Sequence, residues 1–360
     1  MQKKVLKLGL AGCARGLSVV SEVVGDRNAV IRAVADIKAD RLQEAKEKLE
    51  AAGVRDLLCF ESLEEMLHSD IDAVFIATDM PLHTKHVIMA LEAGKHVLSE
   101  IPAVHSLEEA KALRAAVKAH PELVYMCGEN CCYWAFIDSW KKMREQGKFG
   151  DIVYAESEYL HADPIDKLEP PVSPDHWRVY NPAIVYLTHN LGPLLYIMND
   201  CVVSVTCMTP DIPYNPYRKA PCLGAALFKT EKGAVIRILI NFGSYVGFDH
   251  NFALYGTHGS ILTDKTKSVE DAHSFLKCED IPGSIDAPVE IPVATRYPGE
   301  SDGGHGGCDR KMMRDFIGCV LEGRQPELDV DFAIRISLPG IYAHESSLRG
   351  GEPVEIPVVE

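Results

Sequence analysis

The chain has 360 residues, 47% of them apolar and 25% charged, with a formal net charge of −15. That length suits two domains with ample apolar material for a core in each, and the acidic balance excludes the basic surface that nucleic-acid binding needs. No run approaches the roughly 20 apolar residues of a membrane helix, and the apolar run behind the charged start stops at Gly12, so neither a span nor a secretory leader is expected and the cytoplasm is the expected location.

The first third of the chain alternates. Apolar runs at Val5–Ala11, Val30–Ala35, Ala73–Thr78, Lys95–Ser99 and Leu123–Cys127 predict strands, and amphipathic stretches at Ala39–Ala52, Leu82–Ala93 and Leu107–His120 predict helices between them. Near-continuous Val, Ile and Leu separated by helices indicates a parallel sheet covered on both faces. After Cys127 the pattern changes to a helix at Phe136–Gln146, a strand at Ile152–Leu160, a Pro-rich irregular stretch at Asp163–Pro182 and a buried helix at Ile184–Met198. Strand-like runs follow at Val202–Met208, Cys222–Lys229, Ala234–Phe242, Asn251–Tyr255 and Gly259–Leu262, which suits an open, mostly antiparallel sheet. Helical character returns at Arg310–Leu321 and Phe332–Ser347.

The 11 cysteines are odd in number and lie mostly in apolar runs, as at Cys59 and Cys207, so they read as reduced thiols. Cys131 and Cys132 are adjacent, which is neither a zinc nor a redox spacing, and no metal is expected.

The segment Gly9-Leu10-Ala11-Gly12-Cys13-Ala14-Arg15-Gly16 closes the first predicted strand and opens a helix, the context of a dinucleotide-binding turn. Against G-x-G-x-x-G, Gly12 is the first glycine, Ala14 replaces the second, Leu17 stands at the third, and Gly16 comes one residue early. Asp36 ends the second strand, where a carboxylate binds the adenosine ribose and repels the extra phosphate of NADP; Lys38 and Arg41 lie nearby. A plain strand–helix turn with an incidental aspartate is the competing reading. The expected architecture is α/β, with a Rossmann dinucleotide-binding domain over 1–127 and a substrate-binding and oligomerisation α/β domain over 128–360, its sheet open and mostly antiparallel. NAD is the expected cofactor, touching Gly9, Gly12, Cys13, Ala14, Arg15 and Asp36.

"DIDAVFIATDMPLHTKHVIMALEAGKHVLSEIPAVHSLEEAKAL", from Asp70, resembles the N-terminal domain of the glucose–fructose oxidoreductase / inositol dehydrogenase (Gfo/Idh/MocA) family. The resemblance covers residues 5–127 well and the rest more loosely. It implies a Rossmann domain followed by an α/β domain with an open sheet, and it adds Thr78, His83, Glu100, Ile101 and Asn130 to the cofactor set. His83 reads as well as a structural residue opening its helix.

Two departures matter. Asp79-Met80 replaces the family's Pro-Asn, and Ile101 replaces the lysine of Glu-Lys-Pro, which in typical members helps take the proton from the substrate hydroxyl. The Asp and His that those members carry four apart on a later helix fall on Tyr186 and Asn190.

What stands in their place is similar to a branch of NAD-dependent α-N-acetylgalactosaminidases. The matching segments are Glu129-Asn130-Cys131-Cys132-Tyr133, Tyr186-Leu187-Thr188-His189-Asn190-Leu191-Gly192-Pro193 and the Glu-Ile-Pro at Glu100. "GGHGGCD", "LDVDFAI" and "GGEPVEIP" are also similar to that branch. In it, retained NAD oxidises the third carbon of the sugar, the neighbouring proton becomes acidic, the glycosidic oxygen is eliminated, water adds and hydride returns. The resemblance implies Tyr133 as base, with His189, Glu100 and Tyr186 in the catalytic set. A neighbouring cation favours a phenolate, and histidine shuttles protons near neutrality.

Each candidate has a plainer reading. Tyr133 and Trp134 suit core aromatics, and His189 lies in an apolar helix. Tyr186 and His189 nevertheless share one helix face. His161 and Asp163 could face a sugar or only water. Trp177 beside Arg178 suits a sugar ring with an anionic substituent, or packing. His305, in the Gly-rich run, could reach substrate; Asp309 could cap a helix, and convergence of His305, Cys308 and Asp309 on a metal is disfavoured by their adjacency on one turn.

Three functions compete: an NAD-dependent oxidoreductase acting on a secondary hydroxyl of a sugar or glycoside, a redox-neutral glycoside hydrolase or lyase that keeps its NAD, and a non-catalytic sugar–nucleotide sensor. Expected partners are a small sugar or glycoside and a second copy of the chain, as homodimer or homotetramer, with neither nucleic acid nor membrane.

Overall fold

A computed structural model of the protein describes residues 5–161, 176–212, 218–243, 249–267, 273–291 and 304–359. Asp163 and most of the Pro-rich stretch lie outside the described residues. Among those described, residues of 1–129 and 301–334 form one compact unit, and those of 130–300 and 335–358 a second.

The first unit is built on six strands: β1 (Leu6–Ala11), β2 (Ala29–Ala35), β3 (Leu58–Phe60), β4 (Ala73–Ile76), β5 (His96–Ser99) and β6 (Tyr125–Cys127). All pair in parallel, in the order β3-β2-β1-β4-β5-β6. The order reverses between β1 and β4, and α/β proteins bind ligands at the carboxyl ends of strands at such a point. The apolar runs explain the strands: Leu6, Leu10, Ala73, Val74, Ile76, Val97 and Leu98 are wholly buried. Between them run α1 (Arg15–Ser21), α2 (Ala39–Ala51), α3 (Leu63–Leu67), α4 (His83–Glu92) and α5 (Leu107–Ala119). Ser62 and Ser106 cap α3 and α5 by accepting from the Glu65 and Glu109 amides.

The sequence boundary at 127 put everything beyond it in one domain, but the described residues of 301–334 pack with the first unit. Helix α9 (Cys308–Glu322) lies against α1, and the Cys127 amide donates to the Leu328 carbonyl at 2.8 Å. Arg310 pairs with Glu22 at 2.9 Å and Arg114 with Asp331 at 2.7 Å. Helical periodicity announces such a segment but carries no signal of which sheet receives it.

The second unit holds α6 (Ala135–Glu145), β7 (Ile152–Leu160), α7 (Trp177–Tyr180), α8 (Thr188–Met198), β8 (Val202–Met208), β9 (Leu223–Thr230), β10 (Val235–Asn241), β11 (Asp249–Gly256), β12 (Gly259–Thr263), β13 (Ser274–Cys278), β14 (Val289–Ile291) and β15 (Val354–Glu355). Helix α10 (Val330–Leu348) precedes β15 in the chain. The sheet runs β14-β13-β12-β11-β7-β10-β9-β8-β15 and is antiparallel except for the central β7–β10 pair. Alternation sorts its two faces. Ala155, Ser157, Tyr159, Ile236, Ile238, Ile240, Ala226 and Phe228 are buried, with α8 against β7 on that face. Between them stand Glu156, Glu158 and Arg237, joined with Lys265 in an ion-pair network. The helix expected over 184–198 begins instead as a 3-10 turn, Ala183–Tyr186, followed by α8.

Candidate functional site

In the first unit, the strand-to-helix turn after β1 approaches β4 so closely that Gly12, at φ +92°, has no room for a side chain: a Cβ would lie 2.2 Å from the Ala77 carbonyl oxygen. Gly16 serves the close packing that the third glycine of the fingerprint supplies. A Cβ there would lie 2.5 Å from Leu10 Cδ1 and 2.8 Å from the Ala77 Cβ. Its apparent one-residue offset in the sequence therefore hides a retained function. Gly9 is different from expectation. It lies inside β1, and the space its missing side chain leaves is bounded by Ile71 and Met66, so it serves core packing rather than the turn.

Asp36, directly after β2, accepts from the Cys13 amide at 2.7 Å and the Lys38 amide at 2.9 Å, so its carboxylate is fixed at the mouth of the turn. The Cys13 side chain is buried, its thiol pushed up to about 12 by burial and by Asp36; at this position it is a packing group. Ala14 is exposed and gives α1 no side-chain cap, which leaves the first amides of the helix for a ligand. A glycine forced by close approach, an uncapped helix start and a fixed carboxylate together fit a dinucleotide. NAD there would have its pyrophosphate on the amides and its adenosine ribose on Asp36.

Glu100 follows β5. Its side chain is 16% exposed and pairs with Arg15, Nε to Oε1 at 3.6 Å. Ile101 is 3% exposed and precedes Pro102 through a cis peptide bond. The position that carries lysine in typical relatives is thus an apolar core position, and Glu100 takes its cationic partner from the dinucleotide turn instead. His83 opens α4 as expected, but its ring is enclosed: Nδ1 lies 2.9 Å from the Pro102 carbonyl and Nε2 3.0 Å from that of Thr78. Burial lowers its pKa, opposed by the two carbonyls. The expected cofactor contact is replaced by a brace between two turns. Thr78 meets His86 Nδ1 through its hydroxyl at 2.8 Å.

His305 also belongs to this unit. Its φ of +51° begins a left-handed run through Gly306 and Gly307 into α9, and its Nδ1 lies 3.0 Å from Asp309 Oδ2. Asp309 is wholly buried and held by Arg15 through two bonds, Nη2 to Oδ1 at 2.8 Å and Nη1 to Oδ2 at 3.0 Å.

In the second unit, a 3-10 turn at Asn130–Tyr133 packs against α8. All four of its residues are buried, with Tyr133 7% exposed. The Cys131 thiol lies 3.4 Å from His189 Nδ1 and 3.5 Å from the Asn130 amide oxygen. From Pro182 to Leu195 every residue is buried except Tyr186 and His189, which are partly exposed. Pro193 cannot donate to the carbonyl four residues back, that of His189, so the helix is loosened at this histidine. The Asn190 amide donates closely to Ser157, while its own Oδ1 and the Thr188 hydroxyl are buried with no hydrogen-bond partner among the described residues.

The His189 ring stands edge-on to Tyr159, with centroids 5.6 Å apart. Tyr159 also stacks on His250 at 4.1 Å and meets His161 and Phe242 edge-on at 5.7 and 5.2 Å. The structure thus unites Tyr186, His189 and His161, and adds Tyr159, His250 and Phe242, which sequence reasoning missed. The signal was the period-two row Ser157, Tyr159, His161 along β7 and beyond its end. Trp177 and Arg178 stack on each other, the guanidinium 4.5 Å from the ring, rather than presenting two separate subsites.

The family model described as "Oxidoreductase family, NAD-binding Rossmann fold" matches residues 6–128, and that of the GFO/IDH/MocA C-terminal domain matches residues 137–262. A "Glycosyl hydrolase family 109 protein" of Solibacter usitatus (strain Ellin6076) is 25% identical over 389 aligned positions, covering 98% of this chain and 87% of the relative. One from Porphyromonas gingivalis (strain ATCC BAA-308 / W83) is 26% identical, covering 98% and 84%. Among solved structures, levoglucosan dehydrogenase in complex with NADH and levoglucosan shares the fold at a TM-score of 0.84, with 21% identity and coverage of 98% and 100%. With both halves matched, the chain belongs to the Gfo/Idh/MocA family of oxidoreductases, and its first unit is that family's NAD-binding Rossmann fold.

Proposed function

We propose that the protein cleaves a glycoside by a redox-neutral route that begins with oxidation of a secondary sugar hydroxyl and ends with the cofactor unchanged. The observation that carries this reading is the relocation of the acid–base groups. Ile101 is sealed in the core, whereas Tyr186 and His189 are the solvent-reached residues of an otherwise buried segment. Similarity along nearly the whole chain to proteins named as glycosyl hydrolases supports it.

NAD, when bound, supplies a hydride acceptor able to return what it takes. The chain's own residues handle protons and position. Tyr133 is the proposed base. His189, whose Nδ1 lies at the Cys131 thiol, is the proposed proton shuttle to and from a sugar oxygen. Tyr186, His161, Trp177 and Arg178 are the proposed sugar contacts, and the edges of the Tyr159 cluster suit the apolar face of a pyranose. Asn130 and Glu100 are proposed to reach the cofactor.

A second reading, net dehydrogenation, is favoured by the likeness of the fold to levoglucosan dehydrogenase. A panel of nitrophenyl glycosides separates the two. Release of nitrophenol without accumulating NADH, lost on stripping NAD and restored on adding it back, supports glycoside cleavage. NADH accumulation with free sugars and no cleavage would replace that reading with the dehydrogenase.

We further propose a cytoplasmic homodimer or homotetramer. On the second sheet, Leu227 and Tyr255 are exposed, a surface suited to pairing with a second copy. No described helix is long and apolar enough to cross a membrane. Light scattering on the purified protein reads the oligomeric state.

A further inference from the structure

The dinucleotide turn and the Gly-rich run before α9 are far apart in sequence, yet Arg15 of the first holds Asp309 of the second. We propose that Asp309 is a positioning residue: it fixes His305 in the tautomer with Nδ1 protonated, so that Nε2 carries the lone pair and can accept a proton. Arg15 is the residue that keeps Asp309 able to do so. The catalytic consequence rests on the proposed sugar chemistry; the tautomer itself does not.

The geometry carries the argument. A carboxylate only accepts, so at 3.0 Å from Asp309 Oδ2 the Nδ1 of His305 must donate. In a neutral imidazole the proton on Nδ1 leaves Nε2 as the acceptor. A wholly buried carboxylate would ordinarily take up a proton itself. Here burial pushes the Asp309 pKa up, but the bond from His305 and the Arg15 charge outweigh it and hold the group far below the usual carboxylate range. Arg15 is planar and bidentate on Asp309, and its Nε faces Glu100. The guanidinium is therefore engaged by two carboxylates, which assigns Arg15 a structural task besides any contact with the cofactor.

The backbone is bent to suit. His305, Gly306 and Gly307 have φ of +51°, +69° and +86°, which turns the chain so that the His305 ring meets the carboxylate at the start of α9. Cys308 secures the turn by donating from its thiol to the His305 carbonyl at 3.0 Å. His305 itself is 42% exposed, so the ring that Asp309 fixes from behind is open to solvent on another side.

The test is nitrogen NMR on protein labelled at histidine, in mildly alkaline buffer, with the His305 signals assigned by their loss in His305→Gln. The expected wild-type pattern is protonated Nδ1 and unprotonated Nε2. Free imidazole side chains favour the opposite pattern, so the result is not the default. Asp309→Asn should shift His305 towards the opposite pattern and lower kcat roughly 10- to 100-fold, with KM for the glycoside and NADH affinity little changed. A wild-type His305 protonated at Nε2 overturns the proposal, as does an unchanged pattern in folded Asp309→Asn. If that variant does not fold, the wild-type spectrum decides alone. A correct tautomer in a protein that cleaves no glycoside would leave this proposal standing and remove the proposed function.

Discussion

Tyr186 and His189 stand three residues apart with ring centroids 5.9 Å from each other, and every other residue from Pro182 to Leu195 is buried. A segment this apolar would ordinarily bury whatever it carries. Keeping two titratable rings at its surface is the arrangement expected of a site. His189→Ala should therefore abolish turnover while leaving NADH binding intact, because the nucleotide turn belongs to the other unit. Fluorescence titration with NADH beside the glycoside assay checks both halves.

Tyr133→Phe keeps the ring that packs in the 3-10 turn and deletes only the hydroxyl. A loss of kcat of roughly 100-fold or more is expected, with unfolding temperature and NADH affinity close to wild type. Near-normal turnover would remove Tyr133 as the base.

Gly12→Ala places a methyl where the Ala77 carbonyl oxygen already lies, at a φ that side chains resist. NAD affinity should fall more than about 100-fold, beyond what loss of one contact explains. Asp36→Ser should weaken NAD by roughly 10- to 100-fold, the worth of a charged hydrogen bond. It should also narrow the preference over NADP, with Lys38 and Arg41 nearby. Equilibrium dialysis with both cofactors measures each change.

Ile101→Lys restores the residue of typical relatives but puts an ammonium at a position 3% exposed. The cost should be about 2–4 kcal/mol of stability by denaturant titration. No sugar dehydrogenase should appear, since Tyr186 and Asn190 also differ from those relatives.

Stability should fall as the solution is acidified from about pH 6.5 towards pH 4. Burial, with the charges of Lys85 and His83, holds His86 down from 6.5 to about 4, and burial also lowers His83 and His105. Unfolded, these rings take protons at the ordinary value; folded, they do so only at lower pH. Between the two the unfolded state binds more protons, so the stability present above the window is lost on going down through it. The slope of unfolding temperature against pH should be shallower in His86→Gln, and an equal slope would exclude His86 as a contributor.

Five strands of the first sheet were readable because each is a largely apolar run near a helix, and Asp36 stood where the ribose carboxylate belongs; β3, three residues long and only partly buried, was missed. The edge strands β14 and β15, and β13 beside β14, were not readable. They are short, and their pairing is dictated by neighbours rather than by their own pattern. The same limit applies to the site. Tyr186 and His189 could be found from their spacing, whereas Tyr159 and His250 meet only through the pairing of β7 with β11. Nor could local pattern reveal that Arg15 serves Asp309, because their contact spans almost the whole chain.

That span has a consequence for how the protein is made. Arg15 emerges from the ribosome 294 residues before its buried carboxylate. Until then Glu22, Asp26 and the Cys127 amide also wait for their partners Arg310, Arg314 and Leu328. The two segments of the nucleotide unit, 1–129 and 301–334, are separated by residues 130–300 of the second unit, which are translated between them. Early residues must remain in a loosely held state meanwhile. A nascent chain stalled before residue 309 should be far more open to proteases at α1 than the released protein, a vulnerability set by the order of translation rather than by the strength of any contact.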